Sequence, residues 1–212
     1  MECADAIRVA VITGGHPFDV PGFQALFEGP DDIEAYPQEF SNWVHDWGNV
    51  RREYEVNLFY NMHMDPLDGP YREAVEELRR RRKGIFVLHH ALLSWPELEA
   101  WNDIVGIQDR SFGYDVEQEV HVEIAEPSHP IVQGLEPWDM PDETYTMADA
   151  GTDSRVLLTV EHPRSMTTIA WTRRSGDAPV FCLQSGHDAR TWTNPSFREV
   201  VHRGIRWCAG RL

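Results

Sequence analysis

Short, largely apolar runs recur along the first part of the chain, and each is closed by polar residues. They cover residues 7–12, 54–60 and 84–88; the first ends in a Gly-Gly pair and the third in a His-His pair. Runs of this length without strict alternation are typical of strands that are buried on both faces of a parallel sheet. The pattern therefore predicts three parallel strands with polar loops at their carboxyl ends.

Helical periodicity fills the intervals between these strands. A short helix is expected at about residues 19–27, and Pro70 suits the first position of a second helix. Ser94 with Glu97 three residues later resembles a capping box, which predicts a third helix that ends at about residue 104. An apolar stripe at helical spacing supports the second helix: Tyr71, Ala74, Val75 and Leu78. Alternation of strands and helices favours right-handed parallel crossovers.

The remaining segments complete one domain. Residues 29–52 contain two prolines among acidic and aromatic residues, and we expect an irregular insertion with some helical turn. The second half contains one loosely alternating strand, three short apolar strands and a final amphipathic helix that begins after Asn194. These strands are expected at residues 114–125, 156–160, 167–172 and 180–183. No repeat or linker divides the chain, so we predict a single α/β domain over residues 1–212.

The net charge of −16 restricts the classes of partner. Nucleic-acid binding needs a basic face, so we expect no nucleic-acid partner. There is no run of 18 apolar residues, and the amino terminus lacks the pattern of a signal peptide, so we expect no membrane association and a cytoplasmic protein. Cys3, Cys182 and Cys208 form no CxxC pair, which suits a reducing compartment.

Seven stretches in a fixed order carry a resemblance to a known family. They are residues 11–16, 84–91, 127–135, 142–145, 169–172, 180–188 and 203–210. Together they resemble the ThuA-like (trehalose utilisation) branch of the class I glutamine amidotransferase-like superfamily. The resemblance implies a flavodoxin-like three-layer sandwich with a mainly parallel central sheet. It also implies a role in carbohydrate metabolism, through trehalose utilisation and, more loosely, 3-keto-sugar processing.

The turn after the third strand departs from the glutaminase domains of that superfamily. Those domains carry a nucleophilic cysteine in a Gly-x-Cys-x-Gly elbow, where a strained turn exposes the thiolate. Residues 87–91 read Val-Leu-His-His-Ala, so His89 or His90 stands in the elbow region. We therefore predict that the protein is not a glutaminase, and that Cys182 is a packed strand residue.

Histidines follow three of the predicted strands at their carboxyl ends. His16 follows the first strand, His89 and His90 follow the third, and His187 follows the last. Ligands of open α/β sheets bind at this edge. We therefore predict that His16, His90 and His187 converge in one catalytic pocket with Glu143 nearby. Because alternation aims the two elbow histidines differently, one of them faces the pocket, and His90 is the preferred one.

Three interpretations of this histidine set are open. Neutral imidazoles at His16, His90 and His187 can bind a divalent transition metal such as zinc. The same side chains with Glu143 can instead perform metal-free acid–base chemistry near neutral pH. In the third interpretation they only stabilise strand ends through hydrogen bonds. Aromatic faces and polar groups beside the set suit a sugar ring, and the expected substrate-binding residues are His89, Trp95, Tyr145, Asp188 and Trp192.

Two functions are compatible with these features. The first is an enzyme that acts on a sugar or keto-sugar at the histidine-rich pocket. The alternative is a non-catalytic sugar- or metabolite-binding module on the same fold. In both, the partner is a small carbohydrate, and assembly into a homo-oligomer is left open. The sequence specifies neither the substrate nor the reaction type.

Overall fold

The computed structural model describes residues 6–212, and within that span the chain forms one nine-stranded sheet flanked by helices. The strands are β1 (Ile7–Gly14), β2 (Ile33–Glu39), β3 (Val56–Asn61), β4 (Gly84–Leu88), β5 (Gly113–Ile124), β6 (Trp138–Thr146), β7 (Arg155–Val160), β8 (Thr168–Ser175) and β9 (Ala178–Leu183). The helices are α1 (Val20–Ala25), α2 (Phe40–Val44), α3 (Gly69–Leu78), α4 (Glu99–Val105), α5 (Ala189–Trp192) and α6 (Pro195–Cys208), with 3₁₀ helices at Trp47–Arg52 and His89–Leu93. Cys3 lies outside the described residues. No helix within residues 6–212 has the length and apolar character needed to cross a bilayer.

The sheet has a parallel half and an antiparallel half. Its order is β2-β1-β3-β4-β9-β8-β7-β5-β6. Pairings from β2 to β9 are parallel, and those from β9 to β6 are antiparallel. The five parallel strands, numbered in chain order, lie as 2-1-3-4-5, the flavodoxin-like order. The predicted α/β fold is confirmed, but a mainly parallel sheet is not. Parallel pairing needs a long crossover connection, and no α-helix separates β5, β6, β7, β8 and β9 along the chain.

Helices cover both faces of the sheet. On one face α1 and α6 pack against a cluster that includes Val11 of β1. On the other face α2, α3 and α4 pack against a cluster that includes the next residue, Ile12. Successive side chains of a strand point to opposite faces, so the apolar run of β1 serves both cores. The three layers leave the carboxyl ends of the parallel strands as an open edge.

Several segments differ from the sequence prediction, among them residues 138–146, which form the unexpected strand β6. Residues 29–52 are not an irregular insertion, because they form β2, the parallel neighbour of β1, followed by α2. This strand lies at the edge of the sheet, where Pro37 is tolerated and the apolar pattern is weak. The third helix begins at Glu99 rather than Ser94. Ser94 Oγ donates to the Asn61 carbonyl instead of capping a helix.

The β5–β6 hairpin folds over the carboxyl ends of the central strands. Sheet order places β6 at the far edge, but its second half returns towards β8 and β9. Gln184 Nε2 donates to the Glu143 carbonyl at 3.0 Å, and the Met166 amide donates to the Tyr145 carbonyl at 2.6 Å. The register of β5 shifts near Glu117, which has a φ of 57°; a bulge of this kind bends a strand. The bent hairpin brings β6 side chains to the open edge.

The loop after β1 depends on glycine. Gly15 has a φ of 75°, a left-handed conformation that glycine adopts at little cost. A Cβ on Gly15 would lie 2.3 Å from the Met62 carbonyl oxygen, in the loop after β3. The two loops therefore lie in direct contact, and this contact holds His16 at the open edge.

Candidate functional site

The chain makes a strained turn where β4 ends. His89 directly follows β4 and has a φ of 51°, which is uncommon for a residue with a Cβ. A strained residue between a central strand and a following helix is the geometry of a nucleophile elbow. Backbone strain of this kind clusters at functional sites. His89 is therefore the elbow residue of this fold.

A cavity of about 260 Å³ opens beside this turn, between the open sheet edge and the β5–β6 hairpin. It is smaller than the roughly 300–1,000 Å³ of pockets that bind drug-sized ligands, so it fits a small molecule. The cavity is lined by His16, Met62, His89, His90, Leu93, Phe112, Tyr114, Glu143, Tyr145 and His187.

The histidines that were predicted to converge do so. Ring centroids lie 4.9 Å apart for His16 and His90, and 6.2 Å apart for His16 and His187. All three line the same cavity, together with Glu143. The topological argument was therefore sound: loops that follow separate parallel strands meet at one crevice.

His90 has an unusual environment for a polar side chain. It is 2% exposed, and neither ring nitrogen has a hydrogen-bond partner among the described residues. Nδ1 of His16 is also buried without a partner there. Burial lowers the pKa of His90 far below its ordinary value, and the neighbouring imidazoles lower it further. Because buried polar groups are normally hydrogen-bonded, these buried nitrogens are suited to a bound ligand or water.

His89, Glu143 and His187 form a tighter group, which we name the His–Glu–His cluster. Nε2 of His89 lies 3.3 Å from Nδ1 of His187 and 3.5 Å from Oε1 of Glu143. The distance between His187 Nδ1 and Glu143 Oε1 is 3.6 Å. In the metal interpretation of the sequence, His187 is a ligand together with His16 and His90. In the structure, the close polar partners of His187 are His89 and Glu143.

Hydrogen bonds fix the direction of the His89 lone pair. Nδ1 lies 2.7 Å from the Gln184 carbonyl oxygen, which can only accept, so Nδ1 carries the hydrogen. In a neutral His89 the lone pair is then on Nε2, which lies 2.9 Å from the Tyr145 hydroxyl oxygen. A backbone carbonyl commonly orients histidines that bind metals in this way.

Burial and close contacts shift the pKa values of several groups in and around the cluster. Burial raises the pKa of Glu143, but its hydrogen bond with His89 and the positive charge that His89 and His187 carry when protonated outweigh burial and lower the pKa overall. Burial lowers the pKa of His187, and His89 adds to this effect. Burial also raises the pKa of Tyr145 well above its ordinary value. At neutral pH, Glu143 is therefore ionised, His187 is neutral and Tyr145 keeps its proton.

Asp142, for which the sequence analysis gave no role, holds two members of the cluster in place. Its carboxylate is buried and accepts the backbone N–H groups of Glu143, Gly186 and His187 at 2.9, 3.0 and 3.0 Å. It also accepts the Thr191 hydroxyl at 3.0 Å. In the sequence Asp142 is one acidic residue beside another, and only its position within a family-like stretch distinguished it from a solvated side chain.

Three of the expected substrate-binding residues lie away from the cavity. Trp95 and Trp192 are each 1% exposed and belong to the two packed cores. Asp188 caps α5 by accepting the Arg190 amide at 2.8 Å. Their side chains support the loops around the site, whereas His89 and Tyr145 do line it.

Two other aromatic residues lie at the cavity instead. Phe112 and Tyr114 come from the start of the β5–β6 hairpin, and Tyr114 is 63% exposed. Phe112 packs edge-on against Tyr145, with ring centroids 5.9 Å apart. An alternating strand with exposed aromatics resembles a solvated face, so the sequence offered no signal for these residues.

We predict no ammonia release from glutamine above the buffer background. The elbow residue is His89, and Cys182 and Cys208 are buried, with thiol pKa values raised well above their ordinary value by that burial. Neither thiol can supply the thiolate that amide hydrolysis needs. The assay is ammonia release with wild type and with each of the three cysteines replaced by alanine. Release that disappears in any one of these variants would refute the prediction.

The chain is similar to a sequence family and to several solved structures. The profile of the family ThuA, described as trehalose utilisation, matches residues 42–208. No protein of curated function matches the chain. A protein described as ThuA-like from Parabacteroides merdae is 17% identical with a TM-score of 0.78, over 97% of this chain and 90% of that chain. Another described in the same way, from Bacteroides uniformis, is 18% identical with a TM-score of 0.74, over 98% and 94% of the two chains.

The glutamine amidotransferase-like fold is also represented among the similar structures. PurLQS from Thermotoga maritima is 14% identical to the chain with a TM-score of 0.58, over 95% of this chain and 99% of that chain. At such identities these likenesses establish the fold alone.

Proposed function

The chain belongs to the ThuA family, and from this premise we propose that it is an enzyme that acts on one ring of a sugar or keto-sugar held in the histidine-lined cavity. His16 and His90 bind ring hydroxyls, and the His–Glu–His cluster performs the reaction. The observation that carries the proposal is the set of unpartnered imidazole nitrogens buried beside a charged cluster in one small cavity.

A sugar ring matches the chemistry of the cavity. Each hydroxyl both donates and accepts hydrogen bonds, and a neutral imidazole offers one donor and one acceptor. Both nitrogens of His90 and Nδ1 of His16 are free to make such bonds. Tyr114 and Phe112 supply aromatic faces for the apolar side of the ring. The volume of about 260 Å³ accommodates a single ring better than an oligosaccharide.

The His–Glu–His cluster favours an enzyme over a binding module. Hydroxyl recognition needs polar partners, but it does not need a strained elbow residue or a buried carboxylate. The protein contains both, in His89 and Glu143. Strain and shifted pKa values are costly to the folded state and concentrate at reacting groups.

We expect His90→Ala and His16→Ala each to weaken sugar binding about tenfold, which corresponds to ~1.4 kcal/mol for one lost hydrogen bond. Titration calorimetry with trehalose, glucose and their 3-keto derivatives measures the affinity. His45→Ala is the matched control, because that imidazole lies against Tyr71 on the surface and its loss should leave the affinity unchanged.

The same sugars also test for turnover, which is followed by NMR spectroscopy of the sugar signals. Conversion by wild type supports an enzyme, whereas tight binding without conversion identifies a binding module. If none of the sugars binds, or if both variants bind as tightly as wild type, the proposed substrate site is wrong.

A further inference from the structure

We propose that the His–Glu–His cluster binds one divalent transition-metal ion, with zinc as the best match, and leaves one coordination position open to the cavity. This inference deepens the proposed function, since it rests on the same reaction centre, but its test requires no sugar. The ligand atoms are Nε2 of His89, Oε1 of Glu143 and Nδ1 of His187.

The distances between these atoms match a metal site. Zinc–nitrogen and zinc–oxygen bonds of about 2.0–2.2 Å in a tetrahedral arrangement place neighbouring ligand atoms about 3.3–3.6 Å apart. The three observed separations are 3.3, 3.5 and 3.6 Å. The triangle is therefore almost equilateral at the size that one small dication requires.

The surroundings preorganise the ligands. The Gln184 carbonyl holds the hydrogen of His89 on Nδ1, so Nε2, the atom that belongs to the triangle, is the nitrogen available to a metal. The Tyr145 hydroxyl lies 2.9 Å from Nε2 in the structure, and a metal ion would replace this contact. Tyr145 can then donate to the Glu143 carboxylate, whose pKa it already helps to lower. A dication also offsets the buried negative charge of Glu143.

The donor set selects the kind of metal. Magnesium and calcium prefer oxygen ligands, whereas two imidazoles with one carboxylate suit zinc and its neighbours in the first transition row. Three protein ligands leave a tetrahedral ion one position for water or substrate, as in catalytic rather than structural zinc sites. A bound ion of this type polarises a substrate carbonyl or lowers the pKa of a bound water.

A second histidine with two carboxylates serves as the matched control. His121 lies 2.7 Å from Asp139 and 3.3 Å from Glu123. More than half of each of these side chains is exposed, so water competes with a metal ion for each of these ligand atoms. We expect only weak metal binding at this surface group.

The experiment is a zinc titration of the whole protein after removal of metal with a chelator. Wild type is expected to bind one equivalent tightly, and cobalt in place of zinc should give the visible spectrum of a four-coordinate site. His187→Ala and the near-isosteric Glu143→Gln should each lower zinc affinity at least about 100-fold, since even outer-shell changes cost about 10–100-fold. His121→Ala and His16→Ala should retain the affinity within about threefold.

The outcomes separate this inference from the proposed function. Tight zinc binding by wild type that is lost in both ligand variants supports the inference, whether or not any sugar binds. Absence of tight zinc binding by wild type overturns the inference. A result in which His16→Ala loses zinc binding while His187→Ala retains it overturns the inference as well. Full sugar turnover by the metal-free protein would show that the metal takes no part in the reaction, and it would leave the proposed function intact.

Discussion

Replacing Asp142 by alanine is expected to lower the free energy of unfolding by about 3–5 kcal/mol, as for other buried charged groups that are removed from their partners. The carboxylate accepts three backbone N–H groups and the Thr191 hydroxyl. The variant leaves the three backbone N–H groups without this acceptor, whereas the Thr191 hydroxyl keeps the Pro141 carbonyl at 2.8 Å. For a chain of this length the melting temperature should fall by about 10 °C. Thermal and denaturant unfolding measure both quantities.

Asp139 on the same strand provides the control. Its side chain is 79% exposed and pairs only with His121, so Asp139→Ala should change stability by no more than about 0.5 kcal/mol. Asp142→Asn should lie between the two, because one side-chain oxygen still accepts while the amide group faces a backbone N–H. Equal stability of Asp142→Ala and Asp139→Ala would contradict the role of Asp142 as the anchor of the loop after β9.

The parallel core was predictable because its strands are buried on both faces and therefore leave apolar runs in the sequence. β2 could not be recognised in this way, since an edge strand pairs on one side only and tolerates Pro37. The antiparallel half was only partly visible. β5, β7, β8 and β9 were expected but β6 was not. The direction of the strands depends on which of them pair, and hydrophobic periodicity contains no information about pairing.

The location of the candidate site was predictable from the sequence, but which of its side chains contact one another was not. Topology brings His16, His90 and His187 to one crevice, and this follows from the order of strands and loops. Both elbow histidines line the cavity rather than one, and His89, the residue with the positive φ, is the one that lies against His187. A positive φ at a residue other than glycine cannot be predicted from the sequence. The contribution of Glu143 depends on a bulge in β5, which is equally invisible there.

Glu143→Gln is expected to lower sugar turnover by about 10³-fold, within the range of about 10²–10⁴ for loss of one acid–base group. Glutamine keeps the shape of the side chain but removes the charge at the centre of the cluster. It can neither take a proton at neutral pH nor serve as an anionic metal ligand. Sugar binding should change by less than about tenfold, because His16 and His90 hold the hydroxyls. The measurement is kcat by NMR together with affinity by calorimetry.

A large loss of turnover with little change in sugar affinity would identify Glu143 as part of the reaction centre. A carboxylate that only recognises hydroxyls would lose affinity and turnover together when it becomes an amide, since both depend on the same hydrogen bonds. Glu123→Gln is the control for loss of charge alone: that carboxylate is exposed beside His121 and should leave both quantities unchanged. Unimpaired turnover in Glu143→Gln would place the chemistry outside the His–Glu–His cluster, because no other carboxylate lines the cavity among residues 6–212.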